Sequence, residues 1–442
     1  MQFPGKRLSS FQIIIAGFLG LILIGTILLM LPISVKGGYG ASLEDALFTS
    51  TSAVCVTGLI VKDTASYWSG FGQAVILTLI LIGGLGIVSV AAFITMISGR
   101  KISLLQRNML QDSFSAHQIG GVVRMTGFIF RISLIIEVIG ALLMMPTFCS
   151  RYGVSGIWMA IFHSVSAFCN AGFDLMGDKT GEFSSLTSYA GTPGIIIPIC
   201  LLIIVGGIGF LTWEDVAVNK LKFHKYRMQS KVILVTTGFL IIVPVLLLFL
   251  FEYSGKPFSE RFFLSLFQAV TPRTAGFNTA SLSSLSGSGR ILLIALMLIG
   301  GSPGSTAGGM KTTTAAVLIA TASSVFQKKK DVQLFGRRIE DNTIKHAITL
   351  FMMYITVPIL CAVVISTVET IPVGACLFET VSAIGTVGLS LGITPSLSPF
   401  SHIILILLMF LGRVGGLTLI YAAINVNHAD VSHRPIEKIN VG

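Results

Sequence analysis

Residues 271–277 read TPRTAGF. Three other stretches share its form: AVCVTGL at 53–59, AFCNAGF at 167–173 and AIGTVGL at 383–389. Each carries glycine at its sixth place, Gly58, Gly172, Gly276 and Gly388, at separations of 114, 104 and 112 residues. A period of that size implies four copies of one structural unit, too large to be a solenoid repeat.

The neighbours of each stretch repeat as well. A long apolar helix precedes it, at about 11–33, 123–148, 230–251 and 343–367. A segment of about twelve residues follows, too short to span a bilayer. Its helix-start signals are Ser42 with Glu44 and Asp45, Ser259 with Glu260, and Pro372. After the glycine stretch come a polar loop and a second long helix, at about 70–98, 192–212, 289–326 and 398–424. The units bound at 1–99, 100–219, 220–330 and 331–442. The expected fold is an all-α polytopic membrane protein. It has four tandem helix–pore hairpin–helix repeats around a pseudo-fourfold central pore, with eight spanning helices and four re-entrant half-helices.

Composition agrees. Of 442 residues, 53% are hydrophobic and 11% charged, and one soluble core cannot hide that much apolar surface. The first apolar run is too long for a signal-peptide core and lacks a cleavage site, so it reads as a retained helix. Nineteen of the 30 Lys and Arg fall on the side of residues 1–10, eight on the other and three within helices. The positive-inside rule puts both termini in the cytoplasm. Topology thus accounts for the net charge of +11 without a nucleic-acid partner. The six cysteines form no CxxC pair and the seven histidines show no ligand spacing, so no metal-ligating side-chain site is expected.

Non-helical backbone at membrane depth survives only where protein buries it or it lines water. Four such loops about one axis, each with a glycine, can aim carbonyls inward and replace the hydration shell of a cation. The half-helices before them point their partially negative ends at the same axis. Potassium, easier to dehydrate than sodium, is the expected ion. The filter residues are Val56, Thr57 and Gly58; Asn170, Ala171 and Gly172; Thr274, Ala275 and Gly276; and Thr386, Val387 and Gly388. Asn170 is expected to serve through its backbone.

These four stretches, the pair TPRTAGFN and GTVGLS, and the segment GGSPGSTAGGMK (300–311) resemble the Trk/Ktr/HKT superfamily of potassium transporters, most of all the Ktr-type membrane subunit, over nearly the whole chain. The extra N-terminal helices typical of the TrkH branch are not expected, which supports the Ktr side of the resemblance. The resemblance implies potassium preference, because glycine stands at all four filter places. It implies a homodimer in the plasma membrane of a prokaryote, regulated by a cytoplasmic RCK-type nucleotide-binding ring. Such a ring is a separate gene product, with the basic loops 219–231 and 327–345 and the lower end of the broken third helix as its docking surface. Membrane lipids are the other partner. No covalent cofactor is expected, sodium dependence stays open, and any nucleotide acts only through the partner.

The second helices share a small-residue mark: GGLG (83–86), GGIG (206–209), GGSPG (300–304) and GRVGG (412–416). Close helix packing could explain the first two. The third continues into Gly300, Gly301, Ser302, Pro303, Gly304, Ser305, Thr306, Ala307, Gly308, Gly309 and Lys311. A phosphate loop is a poor reading, because Met310 separates Gly309 from Lys311 and an apolar helix, not a strand, comes first. By resemblance this is an intramembrane gate loop, with Ser302, Ser305 and Thr306 satisfying freed backbone groups; a packing kink at Pro303 is the alternative. By resemblance Arg413 is a barrier projecting into the pore beneath the filter; an arginine paired to a carbonyl or acid between helices is the alternative, and contact with the gate-loop carbonyls would let both hold. Lys311 either tethers the loop or extends toward the cytoplasm. A bridge from Arg273 to Glu379 would brace the filter. Glu137 reads as an interhelical hydrogen-bonding acid ahead of an ion-coupling group.

The expected function is potassium uptake, not enzymatic catalysis. A sodium-dependent or sodium-permeable transporter of the same fold is the alternative. A secondary solute transporter would show inverted repeats, whereas these four run one way. A nucleotide-handling enzyme at 304–312 is the remaining class.

Overall fold

A computed structural model describes residues 9–98, 102–114 and 121–416. The four first helices are Ser10–Met30, Val122–Tyr152, Met228–Leu247 (prolonged by a π turn, Leu248–Glu252) and Asp341–Glu369. All are long and apolar enough to cross a membrane, and only 22–33% of their most apolar windows is buried within the protein. A narrow face packs inward and the remaining apolar surface is left for lipid.

The short helices follow: Leu43–Val54, Ser155–Phe168, Phe258–Val270 and Val373–Gly385. Ser42 caps the first, its Oγ accepting from the Asp45 amide at 3.1 Å, with Glu44 and Asp45 in the first turn. The third begins one residue before Ser259, behind Pro257, and the fourth begins behind Pro372. These helices are too short to cross, and each ends at its glycine stretch in the protein's interior.

The second helices depart from expectation. In repeat one, Gly70–Leu85 and Ile87–Ile97 meet at 96°; in repeat two, Pro193–Gly207 and Phe210–Asn219 meet at 97°. The turning residues Gly86 and Gly209 have φ of +86° and +94°, which side-chain-bearing residues rarely adopt. Repeat three has Gly287–Leu298 and Thr312–Phe326, separated by thirteen non-helical residues. In repeat four the helix Pro399–Val414 stops at Gly415, φ +90°. Its expected continuation to 424, the polar tail and both termini lie outside the described residues.

Packing explains the first glycine of three marks. A Cβ on Gly83, Gly206 or Gly412 would run into the carbonyl of Val54, Phe168 or Ile384, at or near the end of the same repeat's short helix. The mark therefore does two things: it lets the second helix touch the pore hairpin, then turns the chain.

Beyond Phe326 a small antiparallel hairpin pairs Gln333 with Arg338 and Leu334 with Arg337. The helix Leu104–Phe114 follows the bent helix of repeat one.

Candidate ion pathway

The four glycine stretches share one backbone conformation. Val56, Asn170, Thr274 and Thr386 have φ of +55°, +58°, +68° and +51°, and the glycines two places later have +91°, +71°, +77° and +90°. Four non-glycine residues held in the left-handed region at equivalent places mark a functional backbone.

The glycines also touch in a closed order. A Cβ on Gly58 would strike the Ala171 carbonyl, and one on Gly172 the Ala275 carbonyl. A Cβ on Gly276 would strike the Val387 carbonyl, and one on Gly388 the Thr57 carbonyl, returning to the start. The four stretches thus surround one axis in chain order. Eleven of the twelve residues are buried and Gly276 is half-buried.

Hydroxyls brace this ring, a feature the sequence reading missed. Ser52 and Ser382 Oγ accept from the Gly58 and Gly388 amides, each at 3.1 Å. Ser166 Oγ donates to the Phe173 carbonyl at 2.7 Å and Thr271 Oγ1 to that of Phe277 at 2.6 Å. The signal was present: a hydroxyl residue stands five or six places before each of the four ring glycines.

The segment from Gly300 to Lys311 lies against the base of the ring. Its ends are stapled by Gly300 N to Met310 O at 2.8 Å and Thr312 N to Gly301 O at 3.0 Å. Cβ atoms on Gly300, Gly308 and Gly309 would meet Thr274, Thr386 and Gly385. Thr306 Oγ1 donates to the Phe168 carbonyl at 3.0 Å and Ser305 Oγ to that of Ser302 at 2.7 Å, while Ser302 Oγ pairs with Thr312 Oγ1 at 3.0 Å. So Ser305 and Thr306 satisfy backbone groups, whereas Ser302 uses its side chain on another hydroxyl. Three backbone bonds join the segment to the break in repeat two: Ser302 N to Gly207 O (2.9 Å), Thr306 N to Gly206 O (3.2 Å) and Phe210 N to Gly304 O (2.7 Å). This is a loop held between repeats, not a kink centred on Pro303.

Two cations hold it. Lys311 Nζ donates to the Ala307 and Gly308 carbonyls at 2.8 and 3.3 Å, tethering the loop to itself. Arg413 donates from Nη1 to the Thr306 carbonyl at 2.5 Å and from Nη2 to the carbonyls of Gly83 and, at 3.0 Å, Gly84. Backbone oxygens, not an acid, accept this guanidinium, and its planar fork suits several acceptors at once. Both cations line a cavity of about 430 Å³ on the far side of the loop, which none of the twelve residues of the ring lines.

Two expectations fail. Arg273 does not bridge to Glu379: its Nη2 donates to Thr237 Oγ1 at 3.3 Å. Glu379 instead accepts from Ser390 Oγ (2.8 Å), the Leu391 amide (2.9 Å) and Thr394 Oγ1 (2.7 Å), all in the loop leaving the fourth glycine stretch. Local donors satisfy the carboxylate without carrying a cation across the repeat. The Glu137 Oε1 is buried without a hydrogen-bond partner, and it is the backbone carbonyl of Glu137 that accepts from Ser164 Oγ at 2.6 Å.

A mostly helical membrane protein with four pore hairpins about one axis belongs to the class of membrane ion transporters. Residues 4–433 match the TrkH family, described as cation transport protein. The chain is 39% identical to the potassium/sodium uptake protein NtpJ of Enterococcus hirae, over 99% of this chain and 98% of that one. It is 37% identical to the Ktr system potassium uptake protein B of Bacillus subtilis, over 97% and 96%. The crystal structure of the potassium transporter TrkH from Vibrio parahaemolyticus superposes with a TM-score of 0.75 at 19% identity, over 95% and 86% of the two chains; at that identity the likeness speaks to fold. This chain belongs to the TrkH family of cation transport proteins, on the Ktr-like side of the Trk/Ktr superfamily.

Proposed function

We propose that this protein takes up potassium across the plasma membrane through a carbonyl filter formed by the four glycine stretches. The observation that carries the reading is the closed ring of Gly58, Gly172, Gly276 and Gly388, each packed against a carbonyl of the next stretch. Inward carbonyls replace the hydration shell of a monovalent cation. The membrane potential drives entry with about 2.3 kcal/mol per charge per 100 mV.

The segment from Gly300 to Lys311 is the gate. It stands between the filter base and the cavity below, and Arg413 adds a positive charge on that side. Movement of the loop has to break its bonds to Gly206, Gly207 and Phe210 and release Thr306 from Arg413. A cytoplasmic nucleotide-binding ring of the RCK type supplies the control. The naming of two relatives as parts of a Ktr system supports such a partner, and a homodimer is the assembly that docks on it. Both termini face the cytoplasm.

One relative's name includes sodium, which favours sodium permeation as the second reading. Rubidium uptake into liposomes carrying the purified chain decides, with external potassium or sodium as competitor. Strong competition by potassium alone, lost in Gly58→Ser, together with higher flux on deletion of 304–309, is the expected result. Equal competition by sodium selects the second reading. No rubidium entry, even in the deletion variant, sinks both.

A further inference from the structure

A ring built from one chain has an unequal seam. Repeats one and two, two and three, and three and four are joined by the polypeptide. Repeats four and one are not, yet the ring must close there, where Gly388 meets Thr57 and Gly58. Side chains have to hold that seam.

We propose that His402, with Glu44, is the clasp that closes the seam on the face carrying the post-filter loops, and that it positions the first filter stretch against the fourth. This rests on the carbonyl-filter reading.

His402 lies in the second helix of repeat four and is 2% exposed. Its Nδ1 is 2.6 Å from Oε1 of Glu44, in the first turn of the short helix of repeat one, 358 residues away in sequence. Its Nε2 is 2.8 Å from the Thr394 carbonyl oxygen. A carbonyl only accepts, and so does an ionised carboxylate. The imidazole ring thus stands between an acceptor of its own repeat and one of repeat one, and its bond to the Glu44 carboxylate is a charge-assisted contact. Phe48, one turn along that short helix, presents its ring edge-on at 5.1 Å. The other nearby acid, Glu369, is occupied by Ser398 and Ser401.

The clasp reaches both the fourth and the first filter stretch. Thr394 Oγ1 donates to Glu379, which also gathers Ser390 and Leu391, the residues just beyond Gly388. On the other side, Glu44 belongs to the helix that ends at Val54 and runs directly into Val56, Thr57 and Gly58. The path from one filter stretch to its neighbour thus runs through Glu379, Thr394, His402 and Glu44. Arg413, bonded to Gly83 and Gly84, joins the same two repeats on the opposite face.

The test uses the full chain in liposomes and reads the ratio of potassium to sodium concentrations that halve rubidium uptake, beside the melting temperature. Glu44→Ala and His402→Leu are each expected to lower that preference about tenfold, the range of a charge-assisted hydrogen bond. The double variant is expected to fall no further than the worse single, since both remove one interaction. His402→Lys, which can still donate to Glu44, is expected to recover most of the preference, a rescue that a space-filling role would not give. Asp45→Ala removes an acid from the same helix turn but not from the clasp, and is expected to leave the ratio unchanged. Should His402→Leu fail to fold, Glu44→Ala decides alone, its side chain being 39% exposed. If the clasp variants keep the wild-type ratio while Gly58→Ser loses it, the clasp is wrong and the filter stands. If Gly58→Ser also keeps it, the filter reading falls and the clasp with it.

Discussion

Replacing Arg413 by alanine tests the proposed gate most directly. The guanidinium lines the cavity below the loop and holds Thr306 to Gly83 and Gly84. For a separation of about 7 Å between this charge and a crossing potassium ion, and an effective dielectric of about 20, the repulsion is about 2.4 kcal/mol. That corresponds to roughly fiftyfold in rate. Loss of the bond to Thr306 loosens the loop and acts in the same direction. Rubidium flux into liposomes is therefore expected to rise by about one to two orders of magnitude, with the proposed potassium preference retained because the four ring glycines are untouched. Arg413→Lys separates the two causes. It keeps the charge but cannot span Thr306 and Gly83 with one ammonium, so its flux is expected to lie between wild type and alanine. A folded Arg413→Ala protein with unchanged or lower flux would refute the barrier, and equal gains in both variants would remove the charge from the explanation.

Three further outcomes follow from the same contacts. Thr306→Val removes the bond to the Phe168 carbonyl and is expected to raise flux about three- to tenfold, the value of one neutral hydrogen bond. Ser382→Ala deprives the Gly388 amide of its acceptor; potassium over sodium competition should weaken several-fold, with a melting temperature lowered by a few degrees through about 1–3 kcal/mol of unmet polar burial. Glu379→Gln sets an amide group among three donors. It is expected to destabilise the fold by about 1–3 kcal/mol, measured by thermal unfolding, whereas Arg273→Gln should leave the Glu379 loop intact because no bridge joins them.

Several features were legible because they are local. The spacing of Gly58, Gly172, Gly276 and Gly388, the cap at Ser42 and the start at Pro372 are written in short windows, and the structure places helices and turns there. The bends at Gly86 and Gly209 were not legible. Apolar residues continue through GGLG and GGIG, and a glycine without proline is tolerated inside a helix, so nothing in the pattern separates a packing glycine from a turning one. The Arg273–Glu379 bridge failed for a related reason. Opposite charges near one mouth suggest a pair, but which donors reach a carboxylate first depends on loop paths that no spacing reveals.

The sequence by itself determined a membrane protein of four like-oriented repeats, since apolar length, polar interruptions and a recurrent glycine are properties of the chain read in order. Only the tertiary structure decided which repeat touches which. The carbonyl each glycine meets, the seating of the 300–311 segment on Gly206 and Gly207, the three oxygens around Arg413 and the contact of His402 with Glu44 join residues roughly 90 to 360 positions apart. Such contacts arise from packing and from the need to satisfy every buried polar group, and neither is visible until the chain has closed on itself.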